Sequence, residues 1–261
     1  MKKIAEGREA ELFLLPDGRV LRLMRAELPF ADRIAELEQV ALRAAAAAGA
    51  PVPEVYERVE RDGRHGVVME RLDGRDLLSL VGRRPWLVDS VGRRCGLLHA
   101  ELHRVPGPGE LTSTADRVRE RIGVSDAVPA KLRDEAFAAL DELPGGDRLS
   151  HGDFHPGNVI GDHHVIDWGN ATRGDPVADV ARTWVVLEFS PLPPGSPPMA
   201  RRLAGIGRGL LLRGYMRAYA RSAEVDPALF SRWVRVRAVE RLTQEIEGER
   251  ESILAMLASE R

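Results

Sequence analysis

The stretch that decides how this chain is interpreted is His151-Gly152-Asp153-Phe154-His155-Pro156-Gly157-Asn158, followed shortly by Asp167-Trp168-Gly169. Both pieces lie in an island, residues 149–174, where two short apolar runs are set among glycine, histidine, aspartate and asparagine. The segments on either side have helical spacing or helix-forming composition. Because binding and catalytic residues are commonly carried by loops on a rigid scaffold, we expect the chemistry of the protein here.

The spacing within the island is typical of a phosphoryl-transfer loop. His151 and Asp153 form an H-x-D element, Asn158 follows five residues after the aspartate, and Asp167-x-Gly169 follows, as in the protein-kinase catalytic loop. Phosphoryl transfer needs a carboxylate that orients and deprotonates the attacking hydroxyl, and hard oxygen ligands for Mg²⁺. The sequence therefore predicts Asp153 as the catalytic base and Asn158 and Asp167 as ligands of Mg²⁺.

The rest of the chain predicts an α+β fold. Short apolar runs bounded by turn residues predict strands at Lys2–Ala5, Ala10–Leu15, Arg19–Leu23, Val55–Val59 and His65–Met69. An alanine-rich stretch closed by glycine and proline predicts one helix, Phe30–Ala48, between the third and fourth strands. Later helical patterns are Leu87–His103, Pro129–Leu143, Asp175–Phe189, Met199–Ala223 and Pro227–Ala258. We expect a small sheet lobe with one helix, residues 1–72, and a larger, mostly helical lobe, residues 73–261.

Two segments, HGDFHPGN at residues 151–158 and IDWGNATRGDPVADVART at residues 166–183, resemble the aminoglycoside phosphotransferase and choline-kinase-like family. Its signature is H-G-D-x-H-x-x-N, then I-D-W or I-D-F, then G-D-P-x-x-D, and the resemblance covers most of the chain. It implies a two-lobed protein-kinase-like fold that transfers the γ-phosphate of ATP to a hydroxyl of a small polar molecule. GTP is the alternative nucleotide, and Asp175 and Asp179 of the last element are implied structural anchors.

The resemblance also implies where the nucleotide lies. The segment around Gly7 resembles the family's phosphate loop, although Glu6-Gly7-Arg8-Glu9 has a single glycine and its two acids must point away from a phosphate. The segment from Val67 to Gly74 resembles the hinge, which implies that the adenine lies against Met69, Glu70 and Leu72.

One position departs from the family pattern. Glu38 stands where the family has the glutamate that partners the nucleotide-binding lysine, but the lysine position itself holds Arg22. Arginine keeps the charge and can contact both a phosphate and Glu38. It is longer and planar, however, so the exchange is not conservative. A pseudokinase that binds nucleotide without transferring phosphate is therefore the main alternative.

Zinc chemistry is a lesser alternative. The island contains histidines among its aspartates, a combination that can hold zinc in a hydrolase: His151, His155, His163 and His164. That interpretation leaves Asn158 and the D-x-G element without a purpose. We expect the first two histidines to brace the loop by hydrogen bonds and the last two to form a solvated turn. For His99 and His103, whose spacing to Glu101 differs from that of a zincin, we expect a packed or surface pair.

Composition narrows the partners. The chain has 261 residues, 44% of them hydrophobic and 30% charged, and a formal net charge of -2 that favours neither nucleic acid nor an anionic membrane. It has no apolar run long enough for a membrane span and no signal-peptide core near its first residue, so we expect a cytoplasmic protein. The single cysteine, Cys95, is expected to be buried and inert.

The acceptor is expected to be a small molecule. The short segment between Gly169 and Asp175 leaves no room for the platform that a protein-directed kinase needs. Acidic side chains that could bind a polycation such as an aminoglycoside are Glu188, Glu240 and Glu245. The proline-rich stretch 190–198 is expected to be an extended connector. The sequence identifies neither the acceptor nor the oligomeric state.

Overall fold

A computed structural model describes residues 1–191 and 197–259. The expected sheet is present, and its five strands are antiparallel in the order β1-β2-β3-β5-β4. Their bounds are β1 Lys2–Glu6, β2 Ala10–Leu14, β3 Val20–Met24, β4 Val55–Arg61 and β5 Arg64–Met69. Gly18 and Gly63 have positive φ angles of 87° and 70°, which glycine adopts without strain, so each predicted turn closes a hairpin.

One helix, α1 (Ala31–Ala47), follows β3 and packs on one face of this sheet. Because side chains alternate along a strand, Arg22 and Met24 of β3 face α1. Leu21 and Leu23 pack on the opposite face in a separate small cluster. The alternation therefore buries an arginine between the sheet and its helix.

The remainder of the chain is mostly helical. The helices are α2 Leu77–Arg83, α3 Val88–Leu102, α4 Thr114–Gly123, α5 Ala130–Glu142, α6 Pro176–Phe189, α7 Pro198–Ser222, α8 Pro227–Leu242 and α9 Arg250–Ser259. Short strands interrupt them: β6 Arg148–Ser150 pairs with β9 Thr172–Gly174, and β7 Val159–Ile160 pairs with β8 His164–Val165. The two-lobed α+β fold predicted from the sequence is confirmed; the boundary at residue 72 stays a prediction.

The single helix predicted for Pro227–Ala258 is wrong. α8 ends at Leu242 and α9 begins at Arg250, and between them Glu245 and Gly248 have φ angles of 48° and 84°. A helix cannot continue through left-handed residues. The two arms are joined instead by a buried ion pair between Arg241 and Glu249, with N–O distances of 2.6 and 2.8 Å.

Two short helices, α2 and α4, have no counterpart among the predicted ones. Each begins with a side-chain cap: Asp76 accepts a hydrogen bond from the Ser79 N–H at 2.7 Å, and Ser113 accepts one from the Asp116 N–H at 3.1 Å. α4 is strongly charged, and its buried apolar side chains are Val118 and Ile122 alone. A pattern of so few apolar residues gives little helical periodicity to recognise.

The most extensive packing between helices of the helical lobe is that of α3 against α7. It depends on Gly92 and Gly96, because a Cβ atom on either would lie within 2.2 or 2.3 Å of a carbonyl oxygen of α7. Cys95, between them, is buried, and burial raises the pKa of its thiol to about 12, as expected for an inert cysteine. Within the described residues, none of the helices combines the length and the apolarity that crossing a bilayer requires.

The proline-rich stretch 190–198 lies largely outside the described residues, since 192–196 are not described. The prediction of an extended connector is therefore limited to its ends. At its far end, Pro198 is the first residue of α7 rather than extended chain. Proline is favoured there because its missing N–H would have no helical partner anyway.

Candidate active site

The β7–β8 hairpin brings the predicted metal ligands side by side. Asn158 precedes β7 and Asp167 follows β8, and the Ile166 N–H donates to the Asn158 carbonyl at 3.0 Å. The Asn158 side-chain amide donates to the Asp153 carbonyl at 3.0 Å, which holds this side chain against the loop of Asp153. Asp167 has a φ angle of 64°, a costly conformation for a residue with a side chain. The hairpin thus presents an amide oxygen and a carboxylate at one end.

The histidines of the loop make the bracing contacts that were predicted for them. His151 accepts from the Asp153 N–H through Nδ1 at 3.2 Å and lies 3.0 Å from the Ile166 carbonyl through Nε2. His155 accepts from the Gly157 N–H through Nδ1 at 3.0 Å. With both Nδ1 atoms accepting, the proton of each neutral ring lies on Nε2. The histidines therefore tie the loop to itself and to β8.

The carboxylate of Asp179 holds the backbone of the same loop by hydrogen bonds. It accepts from the His151 N–H at 2.6 Å and the Gly152 N–H at 2.9 Å, and His99 and His103 lie at 3.1 and 3.4 Å through Nε2. Burial alone would raise its pKa, but the hydrogen bonds from His103 and His99 hold the pKa of Asp179 well below its usual range. A fully buried, ionised carboxylate thus fixes the backbone on which Asp153 is carried.

Asp153 is accompanied by an arginine that was not predicted. Arg182 of α6 is fully buried, donates through Nε to the Gly152 carbonyl at 3.3 Å, and lies 3.6 Å from the Asp153 carboxylate through Nη2. Burial lowers the pKa of Arg182, and its Nη1 atom has no hydrogen-bond partner among the described residues. The one signal in the sequence is an arginine inside the otherwise apolar stretch of α6, one turn after Asp179.

Arg22 joins the two lobes at the site. Its Nη1 donates to Glu38 at 2.8 Å and its Nη2 donates to Asp167 at 2.7 Å. Burial alone would lower the pKa of Arg22, but the surrounding carboxylates raise it. Burial raises the pKa of Glu38 to about 7, and no described residue donates a hydrogen bond to its Oε1 atom. The structure therefore brings the predicted nucleotide-binding pair next to the predicted metal ligand.

The turn around Gly7 lines the same cavity as Arg22 and Asp167, but the side chains of its two acids point in different directions. Glu6 points away and pairs with Arg25. Glu9 points inward, with its carboxylate 4.0 Å from Arg22, and burial and the neighbouring Asp167 raise its pKa. The requirement that both acids point away is therefore met by Glu6 alone.

The predicted hinge residues lie apart from the other predicted site residues. Met69 is buried at the end of β5, and Leu72 is half-buried in the segment that follows. The Glu70 carboxylate accepts from the Glu54 N–H at 3.2 Å, which directs it to the start of β4. Met69, Glu70 and Leu72 are not among the residues that line the main cavity.

A cavity of about 1750 Å³ is lined by Gly7, Arg22, Asp153 and Asp167, whereas the predicted Glu38 and Asn158 are buried and are not in its lining. Two acids of the predicted acceptor set do not face it freely. Glu188 is not in the lining, and Glu240 is buried against Arg237 and Arg121 at 2.8 and 3.0 Å. Of the three, Glu245 lines the cavity.

The zinc cluster predicted as an alternative is not assembled. His163 is exposed at the β7–β8 turn, as expected for a solvated turn, whereas His164 is half-buried as the first residue of β8. Among the described residues, metal-ligand atoms converge at His99, His103 and Asp179. There both histidines are hydrogen-bonded through Nδ1 to the hydroxyls of Tyr215 and Tyr219 at 2.7 Å, so these side chains form a buried network.

The metal ligands expected from the sequence fit Mg²⁺ by their chemistry. Mg²⁺ takes oxygen ligands and is usually held by one or two protein groups together with the phosphates of a substrate. Asn158 offers an amide oxygen, and Asp167 keeps Oδ2 free, since Arg22 contacts Oδ1. These two residues could hold the ion at the open end of the hairpin.

Solved structures that resemble this one include aminoglycoside phosphotransferases and a choline/ethanolamine kinase family protein. The aminoglycoside phosphotransferase APH(3'')-Id from Streptomyces rimosus, in complex with ADP and streptomycin, is 17% identical with a TM-score of 0.57, over 89% of this chain and 90% of that one. A choline/ethanolamine kinase family protein from Mesorhizobium loti is 20% identical with a TM-score of 0.58, over 96% and 83%. The GDP and kanamycin complex of APH(2'')-IIia is 18% identical with a TM-score of 0.58, over 99% and 89%.

At these identities the structures show a shared fold. Among curated proteins, no relative of the chain is found. The model of the phosphotransferase enzyme family matches residues 1–225, which include the sheet, the catalytic-loop signature and α6. The resemblance seen in the sequence is confirmed: this chain belongs to the phosphotransferase enzyme family.

Proposed function

We propose that this protein transfers the γ-phosphoryl group of ATP, with GTP as the alternative donor, to a hydroxyl of a small molecule. The observation that carries the proposal is that Asp153 and Asp167 line one cavity together with Arg22. Family membership supports a phosphotransferase, and the likeness to structures described with ADP or GDP supports a nucleotide as the donor.

In this reaction the acceptor hydroxyl oxygen forms a bond to the γ-phosphorus, and the bond from that phosphorus to the bridging oxygen of ADP breaks. Asp153 orients the hydroxyl and takes its proton. The guanidinium of Arg182 lies 3.6 Å from the Asp153 carboxylate and helps to hold this side chain in place. Mg²⁺, when held by Asn158 and Asp167, supplies positive charge that offsets the charge of the phosphates.

Arg22 and Glu38 position the phosphates in this proposal. Nη1 of Arg22 is held by Glu38, so the guanidinium has a fixed direction toward the cavity. Nη2 contacts Asp167, which links the phosphate-binding cation to the metal-binding carboxylate. Arg22 is positively charged at any physiological pH, since an arginine is always protonated.

The test is acceptor-dependent release of ADP by Asp153→Ala. We expect turnover to fall by a factor on the order of 10²–10⁴, the usual contribution of a general base, while affinity for MgATP stays within about threefold. Asp162→Ala is the matched control, because Asp162 is exposed on the neighbouring β7–β8 turn. Turnover of Asp153→Ala at the wild-type rate would refute the role of the base.

A pseudokinase remains the second candidate, and the Arg22 contact favours it. Arg22 engages one of the two carboxylate oxygens of Asp167, so a bound metal ion must share this carboxylate with the guanidinium. A pseudokinase would be stabilised against heat by nucleotide yet release no ADP with any acceptor. Asp167→Ala separates nucleotide binding that depends on Mg²⁺ from binding that does not: if binding persists unchanged, Asp167 is not a metal ligand.

A further inference from the structure

Part of the cavity lies away from the phosphate-binding groups and is lined by one face of α7. Its lining residues from α7 are Leu203, Ala204, Gly207, Arg208 and Leu211. Residues spaced by three, four and seven positions lie on one side of a helix, so these form a single stripe. From Leu203 to Leu211 the stripe is about 12 Å long at the rise of an α-helix. We call it the α7 stripe.

The other walls of this part are also apolar. They are formed by α2, the turn that follows it, the start of α3 and the end of α6, with Leu78, Val81, Pro85, Val88, Val186 and Leu187 in the lining. Leu78 and Leu203 are 53% and 60% exposed. Large apolar side chains that face an open cleft are typical of a site that binds apolar surface. α2 packs against the turn Pro156–Asn158, so the apolar walls adjoin the loop of Asp153.

The charge on the stripe is positive. Arg208 is half-buried and donates to the Ser190 carbonyl, and no carboxylate of the described residues lies within ion-pair distance of it. Among the described residues Arg208 therefore has no carboxylate partner, and an arginine in this setting at the edge of an apolar surface is suited to an anionic group of a ligand.

A polycation would find little here to bind. The acids in the cavity lining, Glu9, Asp126, Asp153, Asp167 and Glu245, belong neither to the α7 stripe nor to the apolar walls. Glu240 is paired with two arginines, and Glu188 is not in the lining. Bringing several ammonium groups next to Arg208 and apolar side chains would cost desolvation without compensating pairs. The walls therefore select against the multiply charged amines that the sequence leaves as candidate acceptors.

We propose that the acceptor is an alcohol with an apolar body and a single anionic group. Its body lies along the α7 stripe, its anion pairs with Arg208, and its hydroxyl points to Asp153. This inference rests on the proposed phosphoryl transfer for the role of the hydroxyl, but the binding that it describes does not require transfer to occur.

The experiment measures equilibrium binding to the protein in the presence of MgADP. The probes are three straight ten-carbon alcohols of matched length that end in a carboxylate, a carboxamide or an ammonium group, together with kanamycin as a polycation. We expect the hydroxy acid to bind about tenfold tighter than the amide, and the amide tighter than the amino alcohol, as a partner for Arg208 requires. Tighter binding of the amino alcohol or of kanamycin, or no binding of the hydroxy acid, would overturn the proposal.

Two glycines of α7 provide a matched pair of variants. A Cβ atom at Gly207 or at Gly205 would meet open space, so leucine is accommodated at both, but Gly207 lines the cavity and Gly205 is exposed outside it. Gly207→Leu fills the stripe and should weaken binding of the hydroxy acid about tenfold, whereas Gly205→Leu should not change it. Arg208→Gln should abolish the preference for the acid over the amide. Equal effects of the two leucine variants would contradict the assigned location.

Failure of this inference can be told apart from failure of the proposed function. Binding in the predicted order without any phosphorylated product supports the site and refutes transfer. Phosphorylated kanamycin, formed by the wild type and lost in Asp153→Ala, supports transfer and refutes the anionic, apolar acceptor. Mass spectrometry of the same mixtures distinguishes the two results.

Discussion

Replacing Asp179 by asparagine is expected to lower the free energy of unfolding by about 2–4 kcal/mol. The wild-type carboxylate accepts from the N–H groups of His151 and Gly152 at 2.6 and 2.9 Å, and from His99 and His103 through Nε2. Asparagine has nearly the same shape but replaces one acceptor oxygen by an amide nitrogen that can only donate. The variant therefore removes charge and one acceptor without creating a cavity.

The size of this loss of stability follows from the contacts of the two carboxylate oxygens of Asp179. If the amide nitrogen faces Gly152, the N–H of Gly152 has no acceptor; if it faces His151, the N–H of His151 has none. Either way one buried backbone donor is unpaired, which costs about 1–3 kcal/mol. The remaining hydrogen bonds lose their ionic character, and each is weakened by about 0.5–1 kcal/mol. The histidines can adapt partly, since the hydroxyls of Tyr215 and Tyr219 accept as well as donate, which keeps the total near the lower sum.

Urea unfolding followed by tryptophan fluorescence measures the change, with equal m-values as the condition for comparing midpoints. Asp175→Asn is the control from the same sequence element. Asp175 caps α6 by accepting from the Val177 N–H at 2.7 Å, and asparagine caps about as well, so we expect a change below about 0.5 kcal/mol. If Asp179→Asn is within about 1 kcal/mol of this control, the loop is not held by the carboxylate.

Three further outcomes follow from buried groups. Burial lowers the pKa of His99 to about 3 from the unfolded value of 6.5, so its contribution to stability is present above pH 6.5 and is lost as the pH falls toward 3. In urea titrations between these pH values, His99→Gln should reduce the change of the unfolding free energy with pH by up to about 1.4 kcal/mol per pH unit, and an unchanged pH dependence would contradict the buried neutral ring. Arg22→Lys removes the fork that reaches Glu38 and Asp167 together and should cost about 1–3 kcal/mol of stability; an unchanged melting temperature would show that one amine suffices. Gly96→Ala should cost about 1–3 kcal/mol because its Cβ would lie 2.3 Å from the Tyr215 carbonyl, whereas Gly205→Ala, in open space on the partner helix, should stabilise by about 0.5–1 kcal/mol; the opposite order of melting temperatures would refute the close approach of α3 and α7.

Much of the architecture could be predicted because it is encoded locally. The hairpin turns at Gly18 and Gly63, the alanine-rich α1 and the apolar periodicity of α3 and α6 each involve neighbours in the chain. The break between α8 and α9 was not predicted, although Gly248 is a local stop signal for a helix. The left-handed conformation of Glu245 and the buried pairing of Arg241 with Glu249 across the bend have no such local signal.

The candidate site was predicted where spacing alone fixes geometry. Asn158 and Asp167 come together because a short hairpin separates them, and Asp153 lies on the same loop. Glu9 and Arg182 were not recognised as members of the site. An acid in a turn and an arginine in a helix are usually solvated, and only burial reveals otherwise.

By itself the sequence determined the order of the five sheet strands and α1 and the family of the chain, because residue type and spacing along a few turns carry that information. Tertiary structure decided which groups meet across long separations. Arg22 reaches Asp167 over 145 positions, and the α7 stripe gains its character from α2, α3 and α6. The reason is physical: local backbone preferences act between near neighbours, whereas burial, charge pairing and the lining of a cavity depend on how separate elements pack.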